Sequence, residues 1–124
     1  MSTFLGVDHV QLAAPADSEA EARAFYGGLL GLEELAKPPA LAARGGCWFQ
    51  CGAQQLHIGI ETEFRAARKA HPALRLADRA GFDELLARLT AVGVAIKHDD
   101  EAIPGVTARC FVADPWGNRL ELLV

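Results

Sequence analysis

The 124-residue chain reads as an α+β fold: two βαβββ modules in tandem, their strands forming a cupped, barrel-like mixed sheet with the helices outside. Three observations predict it. Strand-like alternation and helix-like spacing follow one another in the same order twice. Each half carries one helix stopped by a glycine. Unusual strand residues recur at nearly one interval: His9 and His71 are 62 residues apart, Gly31 and Gly93 also 62, and His57 and Glu121 64. A repeat of about half the chain length marks an internal duplication. It covers residues 4–60 and 70–124, joined by the polar stretch 61–69, within a single domain 1–124.

The elements follow in order. Phe4 to Ala14 alternates as a strand, with His9 and Gln11 on one face and Val10 and Leu12 on the other, until Pro15 ends it. Ser18-Glu19-Ala20-Glu21 has the capping-box pattern and opens a helix through Phe25, Leu29 and Leu30, with Gly31 as its stop. Leu32 to Ala36 forms a short strand before Pro38-Pro39. Gly46 to Cys51 and Gln54 to Ile60 form a hairpin around Gly52-Ala53, whose two-residue turn sets Trp48 opposite His57 and Gln50 opposite Gln55. In the second half, Pro72 to Asp78 is a strand. A helix runs from about Phe82 to Val92 with Leu85, Leu86, Leu89 and Val92 on one stripe. Val94 to Lys97, Val106 to Ala113 and Arg119 to Val124 complete the strands, the last two joined by the turn Asp114-Pro115-Trp116-Gly117-Asn118, which fixes the register of the final strand.

The composition is that of a soluble globular domain, 51% hydrophobic and 23% charged. A net charge of -4 leaves no basic stripe for nucleic acid or an anionic membrane. The first residues lack a signal-peptide pattern, and no apolar run reaches the roughly 18 residues of a spanning helix. Cys47, Cys51 and Cys110 lie in apolar strand-like runs as packed, reduced thiols. The spacing of Cys47 and Cys51 has no second Cys or His pair to complete a zinc module. A cytoplasmic protein fits best.

Glu121 is the anomaly of the final strand. Leu120, Leu122 and Val124 share one face, and Arg119, Glu121 and Leu123 the other. A half-buried carboxylate needs a partner, because an unpaired buried charge costs several kcal/mol or is neutralised. The duplication matches His9 with His71 at the first strand of each half, and His57 with Glu121 at the last. Two half-sheets facing one another bring these side chains around one cavity, where a cation partners Glu121. Two imidazoles and a carboxylate with open positions suit Zn, Ni, Mn, Co or Fe, and His57 is a further ligand or a base. Taken singly, each strand histidine reads as an ordinary hydrogen-bonded residue; the matched pairing raises His9, His71 and Glu121 above that. His98, in a charge run with no duplicate, reads as solvated.

Asp8-His9-Val10-Gln11-Leu12, Ala24-Phe25-Tyr26-Gly27-Gly28-Leu29-Leu30-Gly31-Leu32 and Asp114-Pro115-Trp116-Gly117-Asn118-Arg119-Leu120-Glu121-Leu122 together resemble the vicinal oxygen chelate superfamily. It includes glyoxalase I, bleomycin resistance proteins, fosfomycin resistance thiol transferases, methylmalonyl-CoA epimerases and extradiol dioxygenases. The resemblance covers essentially the whole chain. It implies that His9, His71 and Glu121 match metal ligands, and that His57 stands where glyoxalase I places a glutamate ligand and base. Pro72 directly after His71, and Arg75, also depart from the usual pattern. In such a site a divalent ion chelates adjacent substrate oxygens and stabilises an enolate or alkoxide, while Glu121 or His57 moves a proton. Alternation sets Gln11, Gln55, Arg75 and Arg119 around the proposed metal, with Trp48 on the wall. Gln11 suits a substrate oxygen and Arg75 an anionic group; as ordinary structure, the first is a cross-strand hydrogen bond and the second an exposed strand-end arginine.

The resemblance therefore implies a homodimeric, metal-dependent enzyme on a small-molecule substrate, with a glyoxalase-like lyase or isomerase favoured over a thiol transferase or dioxygenase. The alternative is a metal-free binding protein of the bleomycin-sequestering type.

Overall fold

The structure, a computed structural model, describes residues 2–124. It divides into two compact units, residues 1–64 and 65–124. The first contains β1 (His9–Ala14), α1 (Glu19–Ala22) running into a π-helical segment (Arg23–Leu29), β2 (Glu33–Leu35), α2 (Pro39–Ala42), β3 (Cys47–Cys51) and β4 (Gln54–Ile60). The second contains β5 (Ala73–Arg75), α3 (Arg79–Ala91), β6 (Lys97–His98), β7 (Arg109–Ala113) and β8 (Arg119–Leu123). Each builds one four-stranded mixed sheet, in the orders β1-β4-β3-β2 and β5-β8-β7-β6. The same topology written twice is the predicted pair of βαβββ modules.

In both sheets the first strand runs parallel to the last and the remaining pairs are antiparallel. The registers correspond: Gln11 lies opposite His57, and Ala73 opposite Glu121. The β3–β4 hairpin has the predicted register, Trp48 against His57 and Gln50 against Gln55. One face of each sheet is dry. In the first module Leu12, Ala14, Cys47, Phe49, Leu56 and Ile58 are buried together with Ala22, Phe25 and Tyr26 of the helix, and the Tyr26 and Phe49 rings lie 5.8 Å apart. In the second, Cys110, Val112, Leu120 and Leu122 are buried, as are Phe82, Leu85 and Leu89 along one stripe of α3. The opposite faces carry the polar side chains.

Several elements differ from the sequence reading. Ser18 does not cap α1; its hydroxyl donates to the Pro15 carbonyl at 2.6 Å, closing the turn after β1. The buried positions Ala22, Phe25 and Tyr26 keep α-helical spacing, yet the helix widens over Arg23–Leu29. We attribute this to Gly27-Gly28, whose poor helix propensity removes the preference for tight winding. Residues 36–46 carry the short helix α2, entered through proline at its first position. The second module's helix starts at Arg79, capped by Asp78, which accepts a hydrogen bond from the Gly81 amide at 2.7 Å.

The strands are shorter than the alternation suggests. Residues 4–8 lie outside β1, and β6 is a two-residue edge strand, short as edges commonly are. Residues 107 and 108 lie outside β7 but still bond through their backbone to Val124.

The turn before β8 is a buried polar network. The Asp114 carboxylate accepts from the Trp116 and Asn118 amides and from Asn118 Nδ2, while Asn118 Oδ1 accepts from the Ala67 amide at 2.9 Å. Both side chains are buried, Asn118 completely. The network ties the start of β8 to the segment leading into β5, and Arg119 N–H to Ala67 O at 2.8 Å continues it. Asn118→Ala leaves the Ala67 amide and part of a buried carboxylate unsatisfied, so it should cost about 2–4 kcal/mol of stability in urea denaturation. A loss below about 0.5 kcal/mol, the usual range for surface positions, would show the turn to be dispensable.

Candidate functional site

The first module places three rings in a row across β3, β4 and β1. Trp48 stacks on His57 at 4.1 Å and 4°, and His9 stacks on the other side of His57 at 4.2 Å and 17°. His57 is 5% exposed. Its Nε2 lies 2.9 Å from Gln55 Oε1, an acceptor, so this nitrogen carries the proton and Nδ1 the lone pair. Burial lowers the His57 pKa below the ordinary imidazole value, and the neighbouring His9 lowers it further; the ring is neutral at pH 7. His9 is half exposed, and its Nδ1 donates to Asp8 Oδ1 at 2.8 Å. Gln11, in register with His57, lies over Gly59, where a Cβ would approach the Gln11 amide to 2.6 Å. A side chain at position 59 would push the Gln11 amide aside.

The second module places His71 and Glu121 in the equivalent diagonal position across its parallel strands. His71 Nδ1 donates to the Lys69 carbonyl at 2.9 Å, and Nε2 lies 3.0 Å from Glu121 Oε1. Glu121 Oε2 lies 3.3 Å from Arg109 Nη1, and Arg109 Nη2 bonds Asp99 Oδ2 at 2.6 Å. Glu121 therefore has partners within its own module, a histidine and an arginine. Phe111, in register with Glu121, is flanked by guanidinium groups, Arg119 at 4.0 Å and Arg109 at 5.3 Å, and meets the His71 ring edge to face at 5.4 Å. Cation–π contacts of this kind hold cationic heads over an aromatic face.

Of the residues singled out from the sequence, His9, Gln11, Trp48, Gln55 and His57 adjoin one another in the first module, and His71, Glu121 and Arg119 in the second. Arg75 shares the Glu121 face through its register with Leu123, but is exposed and donates to the Gly105 carbonyl at 3.3 Å. His98 is exposed, as expected of a solvated residue. Among the described residues no group of three His, Cys, Asp or Glu side chains is placed to hold a metal ion. Arg109 and Asp99 escaped sequence reasoning, and Phe111, which reads from the sequence as core packing, stands instead on the Glu121 face. The available signal was parity, since Arg109 and Phe111 share one face of a strand whose hairpin partner carries Glu121. The three cysteines are unbonded, and burial, reinforced by the Glu121 charge, pushes the Cys110 thiol up to about 11.

A sequence profile of the Glyoxalase/Bleomycin resistance protein/Dioxygenase superfamily matches residues 6–122. The chain belongs to that superfamily. Solved structures similar to it include a glyoxalase family protein from Bacillus anthracis, 46% identical, with a TM-score of 0.89 and 99% of this chain and 97% of that one covered. A lactoylglutathione lyase from Agrobacterium tumefaciens is 24% identical, with a TM-score of 0.70 and coverages of 98% and 95%. A genomically encoded fosfomycin resistance protein from Listeria monocytogenes is 18% identical, with a TM-score of 0.72 and coverages of 99% and 91%. The last two share the fold. No match is found among curated proteins. No helix among the described residues is long and apolar enough to cross a membrane.

Two predictions follow from this geometry. Arg109→Met removes the cation between two partly buried carboxylates and should destabilise the protein by about 2–4 kcal/mol, with Asp99→Asn restoring part of the loss in the double variant. Additive losses in the denaturation cycle would disprove the coupling. For His57 the folded-state pKa is depressed, so the unfolded chain binds more protons over the window from that lowered value up to about 6.5. Its contribution to stability is complete above about 6.5 and is lost as pH falls through the window. His57→Gln should flatten this slope, and NMR titration should give a wild-type His57 midpoint below the ordinary value.

Proposed function

We propose that the protein is a divalent-metal-dependent enzyme, a glyoxalase-like lyase or isomerase, binding a small substrate through adjacent oxygens. The observation that carries this reading is the way the two candidate imidazole ligands are held. His9 and His71 each engage Nδ1, one on Asp8 and the other on the Lys69 carbonyl, so Nε2 is the nitrogen that would ligate, and in His71 a cation would displace the proton it shares with Glu121. Metal-binding histidines are characteristically oriented by such an acceptor on the other ring nitrogen. In the second module this Nε2 already faces a carboxylate oxygen at 3.0 Å.

By donor type alone, His9, His71 and Glu121, with His57 beside His9, suit Zn, Ni, Mn, Co or Fe. When bound, a divalent ion supplies Lewis-acid polarisation to the substrate's adjacent oxygens as enolate or alkoxide charge develops. The remaining roles belong to the chain. Arg109 holds Glu121 Oε2, so Oε1, which meets His71 Nε2, would be the donor. His57, kept neutral by burial, accepts a proton at Nδ1 while Gln55 fixes its tautomer. Trp48 limits the mobility of the His57 ring. Gln11, Arg119 and Arg75 are the polar groups available to a substrate. We take the working form to be a homodimer, as the superfamily resemblance implies, in a cytoplasm that keeps the three unbonded thiols reduced.

The second reading, metal-free sequestration, is favoured by one observation: His57 is already stacked between rings and Glu121 is already paired with Arg109. Metal titration separates the two. Wild-type protein should bind one divalent ion per site, while His9→Ala and Glu121→Ala should each lose at least about tenfold in affinity. Failure of every metal to bind, or unchanged binding in the variants, would overturn the metal reading. Mixing the two variants tests whether one site draws on two chains, since only a shared site regains metal in the mixed dimer.

A further inference from the structure

The first module holds a cleft of about 190 Å³ between the 36–46 segment and the polar face of its sheet, lined by Gln11, Lys37, Leu41, Arg44, Trp48 and Ile60 among others. We propose that this cleft binds an oxyanion, a carboxylate or phosphonate group carried on a short apolar body. As an account of how the substrate is selected, the proposal rests on the reading of the adjoining site; as an anion site it stands on its own.

Charge is the first argument. Two cations line the cleft and no aspartate or glutamate does, in a chain whose net charge is -4. The larger cleft of the second module, about 430 Å³, has the opposite character. It combines Asp83, Asp99, Asp100 and Glu101 with two arginines, both already paired, Arg79 with Asp83 and Arg109 with Asp99. In the first module, Arg44 has no side-chain partner among the described residues. Lys37 donates to the Gly45 carbonyl, and its ammonium has two further donors. Two cations on the wall of one cleft, with no carboxylate among its lining residues, suit an oxyanion that accepts from both.

Construction is the second argument. The segment carrying Lys37 and Arg44 is fastened at both ends: the Lys37–Gly45 bond closes it, and Gly46 brings it against β4. Gly46 has φ +85°, and a Cβ there would lie 2.1 Å from the Ile58 carbonyl oxygen, an approach only glycine allows. On the sheet side, the bare Gly59 leaves space for the Gln11 amide, which lines the same cleft. Leu41, Ile60 and Trp48 supply apolar surface for the body of the ligand. Because Trp48 also stacks on His57, a ligand anchored here has its remaining atoms next to the ring stack.

The test uses the full chain, isotopically labelled and metal-free in EDTA, titrated with methylphosphonate, propionate and neutral propionamide, and reads the Trp48 indole and Gln11 side-chain amide signals. The two anions should saturate these shifts, propionamide should not, and added salt should weaken the anions. Arg44→Gln and Lys37→Gln should each weaken anion binding about tenfold, the loss of one charge-assisted hydrogen bond. Arg44 is exposed and fastens nothing, so its variant stays informative if Lys37→Gln loosens the loop. Equal shifts with propionamide, no saturation by either anion, or unchanged affinity in Arg44→Gln would overturn the proposal. None of these outcomes depends on metal, so the anion cleft and the metal reading fail separately.

Discussion

The parallel pairing of the first and last strands in each module is the constraint on which the rest depends. It closes a four-stranded sheet whose dry face makes the core, and it brings a residue near the start of one strand diagonally beside a residue in the middle of the other. His9 meets His57 in this way, and His71 meets Glu121. Parallel strands cannot be joined by a tight turn, so each module needs its helix and hairpin between them. In the second module the Asp114–Asn118 network then fixes where β8 begins. A slip by one residue would turn Glu121 into the core and expose Leu120 or Leu122.

The same diagonal position carries different physics in the two modules. In the first it holds aromatic rings without a nearby counter-charge other than Asp8 at the margin, so His57 is stabilised by stacking and kept neutral by burial. In the second it holds a chain of paired groups, His71 to Glu121 to Arg109 to Asp99, in which removing one member leaves its neighbour uncompensated. One module thus presents a buried, neutral imidazole and the other a carboxylate held by a histidine and an arginine. The lowered pKa of His57 comes first from burial and then from the His9 imidazole stacked beside it, a neighbour that Glu121 does not have in the second module.

The fold was legible because its signals were periodic and repeated. The interval between His9 and His71, the stop glycines Gly31 and Gly93, and the two-residue turn at Gly52-Ala53 all report local geometry, and the Trp48–His57 register followed from the turn alone. Helix ends were less legible: Ser18 matched the capping pattern but turned its hydroxyl to Pro15, whereas Asp78 capped α3 without an acidic partner to announce it. The site was legible one side chain at a time. Alternation assigns a residue to a face, but not the partner across the sheet or a carbonyl such as that of Lys69. Arg109 sat in an apolar strand as conspicuously as Glu121, but it does not recur in the other module, and a search guided by duplication passes over what is not duplicated. Lys37 and Arg44 were invisible for the same reason, lying in a connection that the second module does not reproduce.

The unequal halves explain how one fold can keep its stability while its polar face changes. The buried sets of the two modules, from Leu12 to Ile58 and from Phe82 to Leu122, lie on the faces away from the histidines, so substitutions on the polar side cost little of the apolar burial that supports the sheets. What they do perturb is electrostatics, and there the modules are not interchangeable. Removing Arg109 leaves two carboxylates to repel one another, whereas removing Arg44 leaves no charge buried and unpaired. Arg109 of the second module is bound into its stability, and Lys37 and Arg44 of the first are available to a ligand. Selectivity can therefore change most easily in residues 36–46, where the chain departs from its repeat, while the Glu121 network holds the carboxylate in place.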